Sequence, residues 1–285
     1  LSAATATLST YYEDESDPHN PEHVEVNTIR LLAKLPVIAA YAHKKSIGQA
    51  FLYPDNSMSF VDNFLKLNFG NLAESYEINP VLSKALDRLL ILHEDHEQNA
   101  STSTVRLVGS TGANQFSSIS AGINALYGPL HGGANEAAME LIQRFKTPDE
   151  AEQGLLEMLA RKEKIMGFGH AIYRESDPRN AIIKQWSKKL AEEVGDTVLY
   201  PVSVRCEEVM WREKKLFCNA DFFHASAYHF MGIPTELFTP IFVMSRVSGW
   251  TAHVKEQRAN NRIIRPSAEY TGPEPQAWVP IEERA

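Results

Sequence analysis

The chain has 285 residues, 44% of them hydrophobic and 22% charged, with a formal net charge of -8 and a pI of about 5.7. That length supports one large domain or two smaller ones with sizeable cores, and the acidic balance argues against nucleic acid or an anionic membrane surface as the main partner. Only two cysteines are present, Cys206 and Cys218, too few for a disulfide framework, so a reducing, cytoplasmic setting is expected. No apolar run reaches the roughly 18 residues that a membrane-spanning helix needs. The chain opens at Leu1 without a signal-peptide pattern and is expected to be a mature or truncated product.

Ser2 to Thr10 can start a helix, and Asp17-Pro18-His19-Asn20-Pro21 is a loop, because a residue before proline is pushed out of the helical region. From Pro21, Val24, Thr28, Leu31, Leu32 and Leu35 recur at helical spacing, and Pro36 is expected to kink or restart that helix. Ser59 caps a short helix carrying Phe60, Phe64 and Leu67. Asn79-Pro80 opens the next, in which Leu82, Leu86, Leu89, His93 and His96 form one stripe, so both histidines are expected to continue its buried face. A Ser/Ala/Thr/Gly-rich helix is predicted from about Ser101 to Leu126. Its small side chains would let other backbones approach closely, as at the centre of a helical protein or a subunit interface.

Gly128-Pro129-Leu130-His131-Gly132-Gly133 breaks that helix, and a new one runs from about Ala134. Thr147-Pro148 caps another. Gly167 to Asp177 reads as a loop, Pro178 to Glu193 as a helix ended by Gly195, and Pro201 to about Arg212 as a further helix. Asn219 caps a helix stopped at Gly232-Ile233-Pro234. The last long helix spans about Glu236 to Asn260, and the proline-rich tail from Arg265 is extended. No run of alternating strands is found. The fold class is all-α, with roughly a dozen helices and hinges near 128–133 and 232–234.

Several residues carry chemistry. His93-Glu94-Asp95-His96 misses the H-E-x-x-H spacing of a zinc helix, and no other Cys/His pair has zinc-ligand spacing, so no metal site is expected. His93 and His96 fit either as satisfied core histidines or as donors lining an anion pocket. His131 lies just ahead of a helix, where a positive charge is disfavoured. A neutral imidazole there can donate to a carbonyl becoming an enolate, although a single turn histidine is more often chosen for local hydrogen bonding. His170 sits among glycines, and Arg174 and Arg179 flank Asp177-Pro178; arginine suits bidentate grip on carboxylates and phosphates, and a solvated charged loop would look the same. Asp221, in the first turn of its helix, fits dipole compensation or a general base. Arg246 is the lone charge between Leu237 and Ala252, and a buried guanidinium needs an anion beside it. Together these groups suit carbon–carbon bond formation from an enolised thioester or ketone. The absence of a G-x-G-x-x-G or P-loop motif counts against a dehydrogenase or NTPase.

The segments HEDHEQNASTSTVRLVGST, GPLHGGANE, GFGHAIYRESDPR, NADFF and FVMSRVSGW, with the following NRIIRPSAEYTGPE, resemble the citrate synthase family from about residue 80 to the end. The bacterial type is closer than the mitochondrial one, and the C-terminal wording looks most like the branch that makes 2-methylcitrate from propionyl-CoA and oxaloacetate, with acetyl-CoA use, making citrate, as the alternative. The resemblance implies a two-domain helical fold: residues 1–132 and 233–285 in a large domain, entered inside its usual N-terminal boundary, and 133–232 in a small one. It implies that His131, His170 and Asp221 are catalytic and that His96, Arg179, Arg246 and Arg265 bind oxaloacetate. Arg265 would reach across from the other subunit of a homodimer. Arg174 matches a coenzyme A contact, the backbone of Ile165, Met166 and Gly167 would lie near the adenine, and Lys214 is a weaker phosphate contact. No bound cofactor is implied, since the coenzyme A thioester is a substrate. A citryl-CoA lyase, or an inactive dimerisation module of the same fold, are the more distant readings.

Overall fold

A computed structural model describes residues 1–284. It contains twelve α-helices and three short 3-10 turns. No strand is present among the described residues; the one extended pairing is an isolated antiparallel bridge between Phe168 and Cys218. Among the described residues, no helix is long and apolar enough to cross a membrane.

The helices are α1 (Ser2–Tyr11), α2 (Pro21–Ser46), α3 (Phe60–Phe69), α4 (Pro80–His93), α5 (Ala100–Ser110), α6 (Gln115–Leu126), α7 (Ala134–Ile142), α8 (Pro148–Ala160), α9 (Pro178–Val194), α10 (Leu199–Lys214), α11 (Ala220–Phe230) and α12 (Phe238–Ala259). Side-chain caps set many of the starts. Asn20, Ser59, Asn79, Thr147, Asp177 and Asn219 each accept from a backbone N–H of the first turn, which satisfies donors that have no intrahelical partner.

Four expectations need correction. Pro36 neither kinks nor restarts its helix: α2 runs through it. The single missing hydrogen bond is outweighed by a face that buries Leu31, Leu35, Ala39 and Ala40 on both sides of the proline. The predicted helix from Ser101 to Leu126 is two helices, because Gly112 takes φ +84° and Asn114 opens α6 by accepting from Ser117 N–H at 2.9 Å. The stripe does not carry on to His96: α4 ends at His93, and His96 lies half-buried in a loop where Glu97 has φ 52°. Finally, α10 starts at Leu199 rather than Pro201, since the Asp196 carboxylate receives the N–H groups of Leu199 and Tyr200 at 3.1 and 2.8 Å.

The helix α12 organises the rest. It is buried at nearly every position from Phe238 to Val254 and packs against α2, α4, α5, α6 and α7. A helix apolar all round is a core helix, and the small residues of its neighbours make room for it. At Gly122 of α6, an added methyl would overlap Val105 and touch the Trp250 ring at 3.4 Å. One cluster joins Leu31, Leu35, Val105, Phe116, Ile119, Val247 and Trp250. A larger one runs through α3, α4 and α7 to α11. The first turns of α12 belong to both clusters, and the site opens beside them.

Candidate active site

A cavity of about 680 Å³ is lined by His93, His96, His131, His170, Arg179, Asp221, Phe242 and Arg246, among others. Ile165, Met166 and Gly167 also line it. The residues come from five stretches far apart in sequence, and local interactions place each of them.

His131 follows α6 in a tight turn in which its N–H donates to Gly128 O at 2.9 Å. The backbone N–H of Ser101 points at His131 Nε2 (3.3 Å), and Ser101 Oγ lies 2.8 Å from the same nitrogen. A backbone N–H can only donate, so Nε2 is the acceptor and the ring proton sits on Nδ1. Burial, with a smaller contribution from Arg246, lowers the His131 pKa to about 4, which leaves a neutral Nδ1–H donor. Ser101 is itself held: its hydroxyl lies 2.8 Å from Asn99 Oδ1 and 3.2 Å from Trp250 Nε1, while Asn99 caps α5 through Thr102 N–H.

His170 is oriented in the opposite sense. Its Nδ1 accepts from the N–H groups of Ile172 and Tyr173 at 3.0 and 3.2 Å, so the neutral ring carries its proton on Nε2. Burial and then Arg179 lower its pKa. The His96 ring packs edge-on against it at 5.1 Å, and His96 Nε2 lies 3.0 Å from the Tyr173 hydroxyl.

Asp221 is brought to His170 by backbone pairing. Gly169 N–H donates to Phe217 O at 2.8 Å, Asn219 N–H to Gly167 O at 3.0 Å, and the Asn219 amide to Gly169 O at 3.0 Å. These bonds lay the loop before His170 against the start of α11. Asp177 closes the arrangement: it grips Arg179 through both carboxylate oxygens (2.9 and 2.7 Å) and accepts from Ala220 N–H at 2.9 Å. Burial pushes the Asp177 pKa up, but these partners outweigh it and the net shift is downward. Asp221 has no such partner. Burial raises its pKa to about 6, against the opposing pull of Arg179 and Arg246. It is a carboxylate poised to take and return a proton near neutrality.

Arg246 is 1% exposed. Its Nε donates to His93 O at 2.7 Å, its guanidinium lies 4.8 Å from the Phe242 ring centroid, and its Nη1 is buried with no hydrogen-bond partner among the described residues. Burial lowers its pKa to about 10, so it remains a cation at neutral pH. A buried cation with a free donor facing a cavity is a site for an anion.

Of the residues singled out in the sequence, His96, His131, Ile165, Met166, Gly167, His170, Arg179, Asp221 and Arg246 share this cavity. Arg174 is exposed on the loop after His170, Lys214 is exposed at the end of α10, and Arg265 lies in the exposed tail; none lines the cavity of the single chain. Sequence reasoning missed Ser101, Tyr173 and Phe242. Only the Asn-x-Ser start of α5 gave a signal, as a helix cap, and nothing in it marked a partner for His131.

The helical fold gathers two neutral histidine donors, a carboxylate with a raised pKa and a buried arginine around one cavity, a set able to polarise carbonyls and move a proton. The family model for the citrate synthase C-terminal domain matches residues 1–267. The chain is 56% identical over 255 residues to the 2-methylcitrate synthase of Shewanella oneidensis, covering 90% of this chain and 67% of that protein. It is 48% identical over 295 residues to citrate synthase 1 of Mycobacterium tuberculosis, covering 100% of this chain and 68% of the relative. The ternary complex of carboxymethyl coenzyme A and oxaloacetate with citrate synthase from Thermoplasma acidophilum superposes with a TM-score of 0.90 at 31% identity, over 99% of this chain and 74% of that one. The chain therefore belongs to the citrate synthase family. It spans about two thirds of the length of the relatives it matches.

Proposed function

We infer that the protein condenses an acyl-CoA with oxaloacetate and hydrolyses the product thioester, and that propionyl-CoA is its preferred donor, giving 2-methylcitrate and coenzyme A. The observation that carries the condensation is the pair of opposed tautomers, Nδ1–H on His131 and Nε2–H on His170, in one cavity with the Asp221 carboxylate. The Asp221 carboxylate takes the α-proton of the thioester while His131 Nδ1–H donates to the carbonyl oxygen that becomes the enol oxygen. The enol carbon forms a bond to the keto carbon of oxaloacetate. His170 Nε2–H donates to the keto oxygen, which becomes the new hydroxyl. Water then cleaves the thioester and releases coenzyme A. Arg246, with Arg179 beside it, supplies the positive charge for the two oxaloacetate carboxylates, and His96, whose pKa is lowered by burial and then by Arg179, offers a neutral ring.

Support for propionyl-CoA is the 56% identity to a 2-methylcitrate synthase, against 48% to a citrate synthase. The donors differ by one methylene, which an apolar pocket discriminates by about 1–3 kcal/mol, roughly 10- to 200-fold, so activity with acetyl-CoA is expected at a lower level. Residues 133–232 would form the smaller domain and close over the cavity, keeping water away until condensation is complete. A second subunit would bring its own tail, with the residue corresponding to Arg265, to the oxaloacetate site. Arg174 and Lys214 would meet the phosphates of coenzyme A on closure.

The test is the initial rate of coenzyme A release at saturating oxaloacetate, with propionyl-CoA and acetyl-CoA in parallel. A higher kcat/KM for propionyl-CoA is expected. A higher value for acetyl-CoA makes the chain a citrate synthase and overturns the donor assignment.

A further inference from the structure

The loop between α4 and α5, residues 94–99, carries His96 into the cavity, whereas Asn99 at its far end is fixed separately as the cap of α5, and the Ser101 that contacts His131 is held by Trp250 as well. The loop has exposed residues on its outer side and one residue, Glu97, in a left-handed conformation. Something outside it must fix its position. One face of α12 supplies three anchors in succession. Arg246 Nε holds His93 O at 2.7 Å. Three residues on, Gly249 N–H donates to Glu94 O at 3.2 Å; the approach is so close that a Cβ at Gly249 would stand 2.5 Å from Glu94 O. Four residues further, His253 Nε2 meets Asp95 Oδ1 at 3.0 Å. Positions 246, 249 and 253 follow the i, i+3, i+7 spacing of one helix face.

The His253 ring is also held from behind. Arg106 of α5 donates through Nη1 to His253 Nδ1 at 3.1 Å, and the same Nη1 pairs with Glu256 at 2.5 Å. A guanidinium has no acceptor, so Nδ1 accepts and Nε2–H is the proton given to Asp95. The chain Glu256–Arg106–His253–Asp95 thus ties α5, α12 and the loop together away from the cavity that His96 lines. The His253 side chain is 16% exposed and lines none of the catalytic cavity.

We propose that His253 is a positioning residue for the oxaloacetate site: by holding Asp95 it fixes the loop that carries His96. This rests on the condensation reading above. Full-length His253→Ala, His253→Gln and Asp95→Ala are compared with wild type by calorimetric titration with oxaloacetate and by steady-state kinetics, with circular dichroism to verify folding. Loss of a charge-assisted hydrogen bond predicts that H253A weakens oxaloacetate binding and raises its KM by about tenfold, with kcat and the acyl-CoA KM within about twofold of wild type. H253Q, whose amide reaches the position of Nε2 and can donate to Asp95, restores affinity to within about threefold. D95A reproduces the H253A effect, and the double variant is no worse than either single one, as expected of two residues acting through one contact.

An unchanged oxaloacetate KM in H253A, an H253Q as weak as H253A, or additive losses in the double variant each overturn the proposal. If H253A does not fold, D95A and H253Q decide it, because Asp95 is exposed and glutamine keeps the donor. A wild-type chain that neither binds oxaloacetate nor releases coenzyme A overturns the condensation reading and the positioning role together. Wild-type activity with unchanged variants overturns the positioning role alone.

Discussion

At the scale of single residues, the site works by what is withheld from each group. Asp177 and Asp221 stand on either side of the α9–α11 junction, yet only Asp177 has two donors and an arginine on it. Asp221 is left with burial and distant cations, so its pKa rises to about 6. A group whose folded pKa lies above its unfolded value costs stability once it ionises. The stability is intact below about pH 4 and is lost as pH rises through about 6. Asp221→Asn removes that ionisation. The variant is expected to lose activity by 100-fold or more, in keeping with removal of a general base, and yet to be more stable than wild type at pH 8 by about 1–3 kcal/mol. Urea unfolding at pH 8 and pH 5 checks this: the gain should shrink at pH 5, and equal gains at both would refute the assignment. The place of Asp221 in the first turn of a helix after Asn219 was legible, and it fits dipole compensation as well as a general base. The lack of a hydrogen-bond partner for its carboxylate among the described residues was not legible, since that depends on the loop at 167–177 folding back over the same turn.

Among the elements, close approach of helices decides the geometry. Ser101 touches His131 only because α5, α6 and α12 come together around Gly122, Val105 and Trp250. Gly122→Ala places a methyl inside the contact radius of Val105 and against the indole, and overpacking of this kind costs about 1–3 kcal/mol. The expected result is a lower thermal midpoint, together with a reduced kcat, because the Trp250–Ser101–His131 contacts shift with the helices. A fall in the midpoint with kcat unchanged would show that the packing and the histidine are not linked. The small-residue composition of this region did announce a crowded place. The split into α5 and α6 was hidden by the same composition: a Ser/Thr/Ala/Gly run carries little apolar periodicity, and the break depends on one glycine at positive φ and one asparagine cap. The end of α4 was hidden for the opposite reason. The spacing of His93 and His96 continues the leucine stripe, and only the anchoring of Glu94 and Asp95 on α12 draws the chain out of the helix.

For the molecule as a whole, the buried imidazoles set its response to acid. His131 and His224 are held to about 4 by burial, and His93, stacked on His224 and Phe242 at 3.9 and 4.1 Å, lies well below its usual value because burial comes first and His224 second. Their unfolded values are near 6.5. Depressed folded values mean that stability is intact above pH 6.5 and is lost as pH falls toward about 4, because the unfolded chain takes up protons that the folded one refuses. Each such histidine steepens the loss by about 1.4 kcal/mol per pH unit. The urea midpoint is therefore expected to be lower at pH 5.5 than at pH 7.5; a midpoint that does not move across that range would mean these rings are protonated in the fold.

By itself the sequence determined the helical class, most helix starts, and many of the residues that line the cavity, though not Ser101, Tyr173 or Phe242. These follow from local causes: a capping side chain acts on its own first turn, a proline acts on its neighbours, and periodicity reports one face at a time. The family motifs kept His131, His170, Asp221 and Arg246 recognisable at any distance along the chain. Only the tertiary structure decided which ring nitrogen of each histidine carries the proton, which aspartate stays unpaired, and which polar groups brace the loop of His96. Apart from His170, whose ring is set by the N–H groups of Ile172 and Tyr173 in its own loop, those properties belong to contacts between residues 30 to 158 positions apart, where hydrogen-bond geometry and desolvation, neither readable from spacing, set the chemistry.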